Sequence, residues 1–218
     1  MELPGFTDLL VHQLEDPHDP RLASWLELYR EAFPPEERVP EQSHVRLLQE
    51  RAEGEDATTH LLALCRAREP RSLAMARYSY HAEASFGYLM YFAVIEELRS
   101  KGIGSALYRE ILRRLRQDAE PRRQRLRGVL MEVEDPEQAE SPGAREMAAR
   151  RVGFYRRLGV RQLTGIRYTQ QVTGQPPIEM LVFVHPLDET LSAGEVLLVA
   201  QRLLGGIEVV ASLPLQIV

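Results

Sequence analysis

The chain has few of the residues that build disulfide frameworks, thiolate metal sites or membrane spans. Its 218 residues include one cysteine, Cys65. A single thiol cannot close an internal disulfide, and no cysteine pair exists to complete a zinc site. Cys65 follows Leu62-Ala-Leu64, so a packed strand residue is its expected role. No uninterrupted apolar stretch approaches the roughly 20 residues needed to cross a bilayer, and no membrane association is expected. The opening Met1-Glu-Leu-Pro-Gly5 has no basic region leading into an apolar run, which predicts a cytoplasmic location. His12, His18, His44, His60, His81 and His185 show no short-range pairing suited to a metal, so none is expected. A Gly-x-Ser-x-Gly elbow is missing too, which leaves an esterase without an anchor. Lysine is the scarcest charged residue: Lys101 stands alone, every other basic side chain being arginine.

What is present describes an ordinary globular chain. A length of 218 residues and a hydrophobic fraction of 44% suffice for one well-buried core with an appendage. The net charge of -5 argues against nucleic acid and is compatible with a cationic small acceptor. Arg113, Arg114, Arg116, Arg122, Arg123, Arg125 and Arg127 form a basic run that aromatic residues do not interleave, so a solvated surface is expected there.

Hydrophobic spacing orders the chain. A strand is predicted over Asp8 to Leu14, then a helix over Pro20 to Phe33 on the spacing of Leu22, Leu26, Tyr29 and Phe33. Pro34-Pro35 stops it, and residues 34–40 cannot be regular helix. A second helix runs from about Glu41 to Glu53, with a turn at Gly54 and Asp56. Three strands follow over Thr58 to Ala67, Leu73 to His81 and Gly87 to Ile95, joined by links short enough for hairpins. Further on come a helix with Ile103, Leu107, Ile111, Leu112 and Leu115 on one stripe, and a strand over Leu126 to Val133. A helix over Ala144 to Leu158 has Met147, Ala148, Val152, Tyr155 and Leu158 as its inner face. Strands at Val160 to Gln170 and Ile178 to Val184 and a helix over Thr190 to Leu204 complete the pattern.

The stretch Val94 to Leu107, VIEELRSKGIGSAL, has the anatomy of an anion site. A strand enters a six-residue loop, Arg99-Ser-Lys-Gly-Ile-Gly104, which opens directly onto a helix. The first helical turn has unpaired N–H groups and a partial positive charge. Gly102 and Gly104 let a phosphate approach the backbone, and Arg99 and Lys101 add formal charge. A dinucleotide fingerprint would need a third glycine and alternating βαβ units, and a P-loop would need Gly-Lys-Ser/Thr; neither is present. A plain glycine-rich turn stays open at this point, although each glycine costs roughly 1 kcal/mol in a helical start.

The order of elements, the Arg99-x-x-Gly102-x-Gly104 loop and the later Gly153-Phe-Tyr-Arg-Arg-Leu-Gly159 together resemble the GNAT N-acetyltransferase superfamily over about Asp8 to Val184. The resemblance implies an α/β fold with a mixed, mostly antiparallel sheet of about seven strands flanked by helices. It implies a domain over 1–187, leaving 188–218 as a C-terminal helix and apolar tail that caps the core or forms a homodimer surface. It implies acetyl-CoA as co-substrate and a small-molecule or peptide amine as acceptor. Phe92, Ala93 and Val94 would pair with the pantetheine arm, while Arg99, Ser100, Lys101, Gly102, Ile103, Gly104 and Ser105 would hold the pyrophosphate. Tyr155 matches the tyrosine that protonates the departing thiolate. Glu36, Glu37 and Arg38 lie, by resemblance, beside the acceptor pocket.

Amine acetylation also needs a base. Glu132 and Glu134 share one face of a predicted strand, since side chains alternate with period two, and either is a candidate, ahead of Glu36 or Glu37 in the Pro-Pro-Glu-Glu-Arg loop; an ion pair with arginine is the alternative for the strand pair. Ser100 stands where the family often has glycine, which is tolerable if its φ is negative. The family's asparagine past the fifth strand has no counterpart in Asp135-Pro-Glu-Gln138, so no residue is carried over there. A coenzyme A-binding sensor without turnover is the alternative to an enzyme.

Overall fold

The computed structural model describes residues 1–50 and 57–218. The predicted end of the second helix near Glu53 and the turn at Gly54 and Asp56 lie outside the described residues. The chain divides into two compact units, Met1–Glu83 with Leu89–Arg125, and Ala84–Tyr88 with Leu126–Val218. The architecture is mixed α/β, with a mostly antiparallel sheet and flanking helices. Among the described residues, eleven strands are present where patterning predicts about seven. Three of the additional strands are only two or three residues long, too short for alternation to be read, and the stretch from Val160 to Gln170 is two strands broken at Gly165.

In the first unit, β1 (Glu2–Leu3) and β2 (Phe6–Leu14) precede α1 (Pro20–Ala32) and α2 (Gln42–Glu50). The carboxylate of Asp19 accepts from Arg21 N at 2.9 Å and Pro20 opens the helix, so both N-terminal signals of α1 are used. Strands β3 (Ala57–Arg66) and β4 (Ser72–His81) follow, and β2, β3 and β4 pair antiparallel in sequence. Leu22, Trp25, Leu28 and Tyr29 of α1 cluster with Leu61, Ala63 and Cys65 of β3, and the Trp25 indole donates to Leu62 O at 2.9 Å. Leu62 and Leu64, on the opposite face of β3, are also buried. Burial on both faces explains the unbroken apolar run from Leu61 to Cys65, and Cys65 is core as expected.

The last elements of this unit are the Leu89–Val94 part of β5 (Phe86–Val94) and α3 (Ile103–Ala119). Ile103, Leu107, Ile111 and Leu115 are buried along the predicted stripe. Among the described residues, three of the arginines assigned to a solvated surface have a different role: Arg127 pairs with Asp188 and Glu195, and the other two lie on α3. Arg113 and Arg114 clamp the carboxylate of Glu110, at 2.7 Å and 2.6 Å, and Glu110 is buried. A buried charge requires such partners, which spacing along a helix face does not reveal.

In the second unit, Phe86–Tyr88 of β5 pairs in parallel with β6 (Gly128–Glu134) through Phe86–Gly128, Gly87–Val129 and Tyr88–Leu130. Then come α4 (Pro142–Arg157), β7 (Arg161–Thr164), β8 (Ile166–Gln170) and β9 (Ile178–Pro186). Strand β9 pairs antiparallel with the whole of β6 and with both β7 and β8. Ala148, Val152 and Tyr155 form the buried face of α4. Met147, predicted on that face, is 58% exposed, because a residue adjacent to Ala148 points about 100° away around the helix. Helix α5 (Ala193–Leu204) begins with a capping box between Ser192 and Glu195, and Arg127 holds Asp188 and Glu195, each at 2.9 Å. The segment after α5 joins the sheet: β10 (Ile207–Val209) pairs with β8 and β11 (Gln216–Ile217) with β7.

Candidate active site

In the first unit, β5 leads through a short 3₁₀ turn at Glu96–Leu98 into the loop before α3. The Arg99 guanidinium folds back, its Nε donating to Val94 O at 3.0 Å. Ser100 has φ +60° and Gly102 φ +80°. The expectation of a negative φ at Ser100 is therefore overturned: the loop turns through the left-handed region twice in three residues. A non-glycine residue there costs on the order of 1 kcal/mol, strain of the kind found where a backbone must present its N–H groups.

Helix α3 has no side-chain cap, whereas α1, α4 and α5 are capped by Asp19, Ser141 and Ser192. The helical ladder begins with Ala106 N donating to Gly102 O at 3.0 Å. The N–H groups of Ile103, Gly104 and Ser105 thus precede the first helical donor, Ala106 N. Arg99, Ser100, Lys101 and Gly102 are exposed, Gly104 and Ser105 half-buried, and Ile103 buried. Uncapped N–H groups, a helix dipole and the exposed Lys101 form an environment suited to a phosphate. Upstream, Phe92 meets the Tyr108 ring edge-on at 6.5 Å, Ala93 is buried and Val94 half-buried.

The Pro-rich loop is fastened from within the same unit. A 3₁₀ turn spans Pro35–Glu37, in keeping with the exclusion of regular helix. The Tyr91 hydroxyl on β5 donates to Glu37 O at 2.9 Å and accepts from Val39 N at 3.0 Å. Tyr29 donates to Val39 O at 2.9 Å, and burial pushes its phenol pKa well up, keeping it protonated. Glu37 is buried, while Glu36 and Arg38 are half-buried. Behind these phenols the His44 ring meets Trp25 and Tyr29 at 4.9 Å and 4.6 Å and is fully buried. Burial, aided by Arg77, lowers the His44 pKa to about 3, so it is a neutral packing element.

In the second unit, the register places Tyr88, Leu130, Glu132, Glu134, Val182, Met180 and Tyr168 on one sheet face. The two glutamates are sorted by their partners. Glu134 takes an ion pair from Arg151 of α4. Glu132 has no cationic partner: Tyr88 donates to its Oε1 at 2.7 Å, and Oε2 is buried without a hydrogen-bond partner. Burial raises the Glu132 pKa to about 7, with the phenols of Tyr88 and Tyr168 pulling the other way. A carboxyl that titrates near neutrality can take up and release a proton at physiological pH. Tyr155, one turn beyond Arg151, is buried; its phenol is pushed up to about 12 by burial, Arg151 opposing and Glu134 adding to the shift. At neutral pH the phenol carries its proton.

Tyr88, Tyr168 and Arg151 escape prediction from sequence. The two tyrosines lie in predicted strands, but only the register across β5, β6, β9 and β8 brings them to the face of Glu132. Arg151 could have been found as the residue four before Tyr155 on the same helix.

The model of the Acetyltransferase (GNAT) family matches residues 22–160, well over half the chain. The chain belongs to the GNAT acetyltransferase family. Acetyl transfer is accordingly its reaction class, and the enzyme type is an N-acetyltransferase. Solved GNAT structures share the fold. A GNAT-family protein of Bacteroides thetaiotaomicron superposes with a TM-score of 0.62 at 21% identity, covering 90% of this chain and 98% of its own. A GCN5-related N-acetyltransferase from Kribbella flavida gives 0.55 at 16% identity, covering 83% and 98%. A GNAT-family acetyltransferase from Streptococcus pneumoniae gives 0.53 at 14%, covering 83% and 100%. No curated protein matches the chain. Among the described residues, no cluster of histidine, cysteine or acidic side chains could hold a metal, and no helix is long and apolar enough to cross a membrane.

Proposed function

We propose that this GNAT protein is an acetyl-CoA-dependent N-acetyltransferase acting on a primary amine of a small molecule or peptide by direct attack on the thioester. What supports the reading is Glu132 on β6 of a GNAT chain: Tyr88 donates to its Oε1 at 2.7 Å, and burial raises the carboxyl to about 7. When bound, acetyl-CoA supplies an activated acetyl group on a thiol leaving group. The uncapped start of α3, with Arg99, Ser100, Lys101, Gly102, Ile103, Gly104 and Ser105, fits its pyrophosphate, and the backbone of Phe92, Ala93 and Val94 its pantetheine arm.

Glu132 accepts the proton that the acceptor ammonium must lose before nitrogen can attack. As the carbon–nitrogen bond forms and the carbon–sulfur bond breaks, Tyr155 gives its phenolic proton to the sulfur. Glu134 keeps Arg151 and is the weaker candidate for the base. Glu36, Glu37 and Arg38 set the charge preference for the acceptor, on a loop whose backbone Tyr91 holds.

Two substitutions separate these roles. Tyr155→Phe is expected to lower kcat by about 10- to 100-fold with the KM for acetyl-CoA unchanged, because it removes a proton and not a contact with the coenzyme. Tyr91→Phe, which frees Glu37 O and Val39 N, is expected to raise the acceptor KM about tenfold with kcat little changed. Steady-state kinetics with each substrate varied in turn checks both. The reading itself is tested by measuring thiol release from acetyl-CoA over polyamines, amino acids, aminoglycosides and peptides. Binding of acetyl-CoA without acetylation of any amine would favour a coenzyme A sensor.

A further inference from the structure

The chain beyond the family match, residues 161–218, contains a feature that bears on Glu132. Strand β8 carries Tyr168, which is 4% exposed and shares the sheet face of Glu132 through the pairs Tyr168–Met180, Met180–Glu134 and Val182–Glu132. The outer edge of β8 is covered by β10, with Ile207 opposite Tyr168, Glu208 opposite Arg167 and Val209 opposite Ile166. Both ends of this short ladder are fastened: Thr169 N donates to Gly206 O at 3.2 Å and Val210 N to Gly165 O at 2.9 Å. Gly206 allows the approach. It has φ +55°, and a Cβ there would lie 2.6 Å from Thr169 O.

We propose that β10 holds Tyr168 against the Glu132 carboxyl, so that Tyr168 is a positioning residue for the base and the C-terminal segment is part of the catalytic apparatus. The inference rests on the reading of Glu132 as base. The phenols of Tyr88 from β5 and Tyr168 from β8 act on that carboxyl, Glu134 lies two residues along its own strand, and α4, packed on β6, brings Arg151 and Tyr155 to Glu134. Glu134 and Arg151 neutralise one another. The two phenols are then the groups that favour the ionised carboxylate, and β10 pairs directly with the strand that carries one of them.

The test is a carboxyl ¹³C NMR titration of Glu132 in the full chain, alongside the pH dependence of kcat/KM. Tyr168→Phe keeps the ring and is expected to raise the midpoint of Glu132 by about one pH unit, with the acidic limb of the rate profile following. Gly206→Ala is expected to move the midpoint as well, and the Tyr168→Phe/Gly206→Ala double variant to move it no further than Tyr168→Phe alone, the non-additivity expected of a shared route. An unchanged midpoint in Tyr168→Phe, or fully additive shifts in the double variant, would overturn the proposal. If Gly206→Ala does not fold, the Tyr168→Phe titration decides alone. Failure of the reading beneath it looks different: Glu132→Gln would retain activity, while the NMR midpoint would still report whether Tyr168 acts on the carboxyl.

Discussion

Glu132→Gln is expected to lower the rate of amine acetylation at pH 7 by about a hundredfold or more, the usual worth of a positioned general base. Glutamine keeps the shape and can still accept from Tyr88, so the fold is retained and the loss is chemical. Stability supplies an independent readout. The folded-state pKa of Glu132, about 7, lies above the ordinary glutamate value of ~4.3. Below ~4.3 both folded and unfolded chains carry the proton, and its contribution to stability is complete. As pH rises the unfolded chain ionises first, so that contribution drains away and is gone once the folded carboxyl has ionised above about 7. Glutamine cannot ionise. The melting temperature of the variant should therefore fall less between pH 5 and pH 8 than that of the parent, by calorimetry at fixed ionic strength. Equal slopes, or an active variant, would remove Glu132 from the account.

The second large effect is expected at the coenzyme loop. Gly102→Asp should weaken acetyl-CoA binding by about a hundredfold or more while leaving the unliganded melting temperature close to that of the parent. Aspartate tolerates the left-handed region better than most residues, and a carboxylate at the N-terminus of α3 interacts favourably with the helix dipole. That same carboxylate repels a pyrophosphate and competes for the N–H groups of the first turn. The ligand-induced thermal shift should then vanish where acetyl-CoA is present at a concentration that saturates the parent. A full shift in Gly102→Asp would show that the phosphates are held elsewhere. Loss of the unliganded fold would contradict the view that this loop is built for a ligand and not for packing.

Sequence patterning reached the long elements of this molecule because each buries a face with a regular period. The stripe from Ile103 to Leu115 and the two-sided run from Leu61 to Cys65 are legible for that reason. It failed where a residue's role is decided by a partner distant in sequence. Arg113 and Arg114 read as surface until Glu110 is seen buried between them. The strand, loop and helix around Arg99 to Gly104 are legible as elements, but not the left-handed backbone of Ser100, which no side-chain pattern encodes. Glu132 and Glu134 looked equivalent as alternate residues of one strand. What separates them is Arg151 on one side and Tyr88 and Tyr168 on the other, and these arrive from a helix and two strands whose register the sequence does not state.

Acetyl transfer from acetyl-CoA to an amine is proposed to use Glu132 as the base. It is tested most directly by following thiol release and N-acetyl product together, for the parent and Glu132→Gln, across pH 5.5 to 9 with an amine that turns over. One product per thiol released is expected, with a rate that rises with pH through a midpoint near 7, a limb that Glu132→Gln lacks. An undiminished limb in Glu132→Gln, or thiol release without acetylated amine, would contradict the proposal.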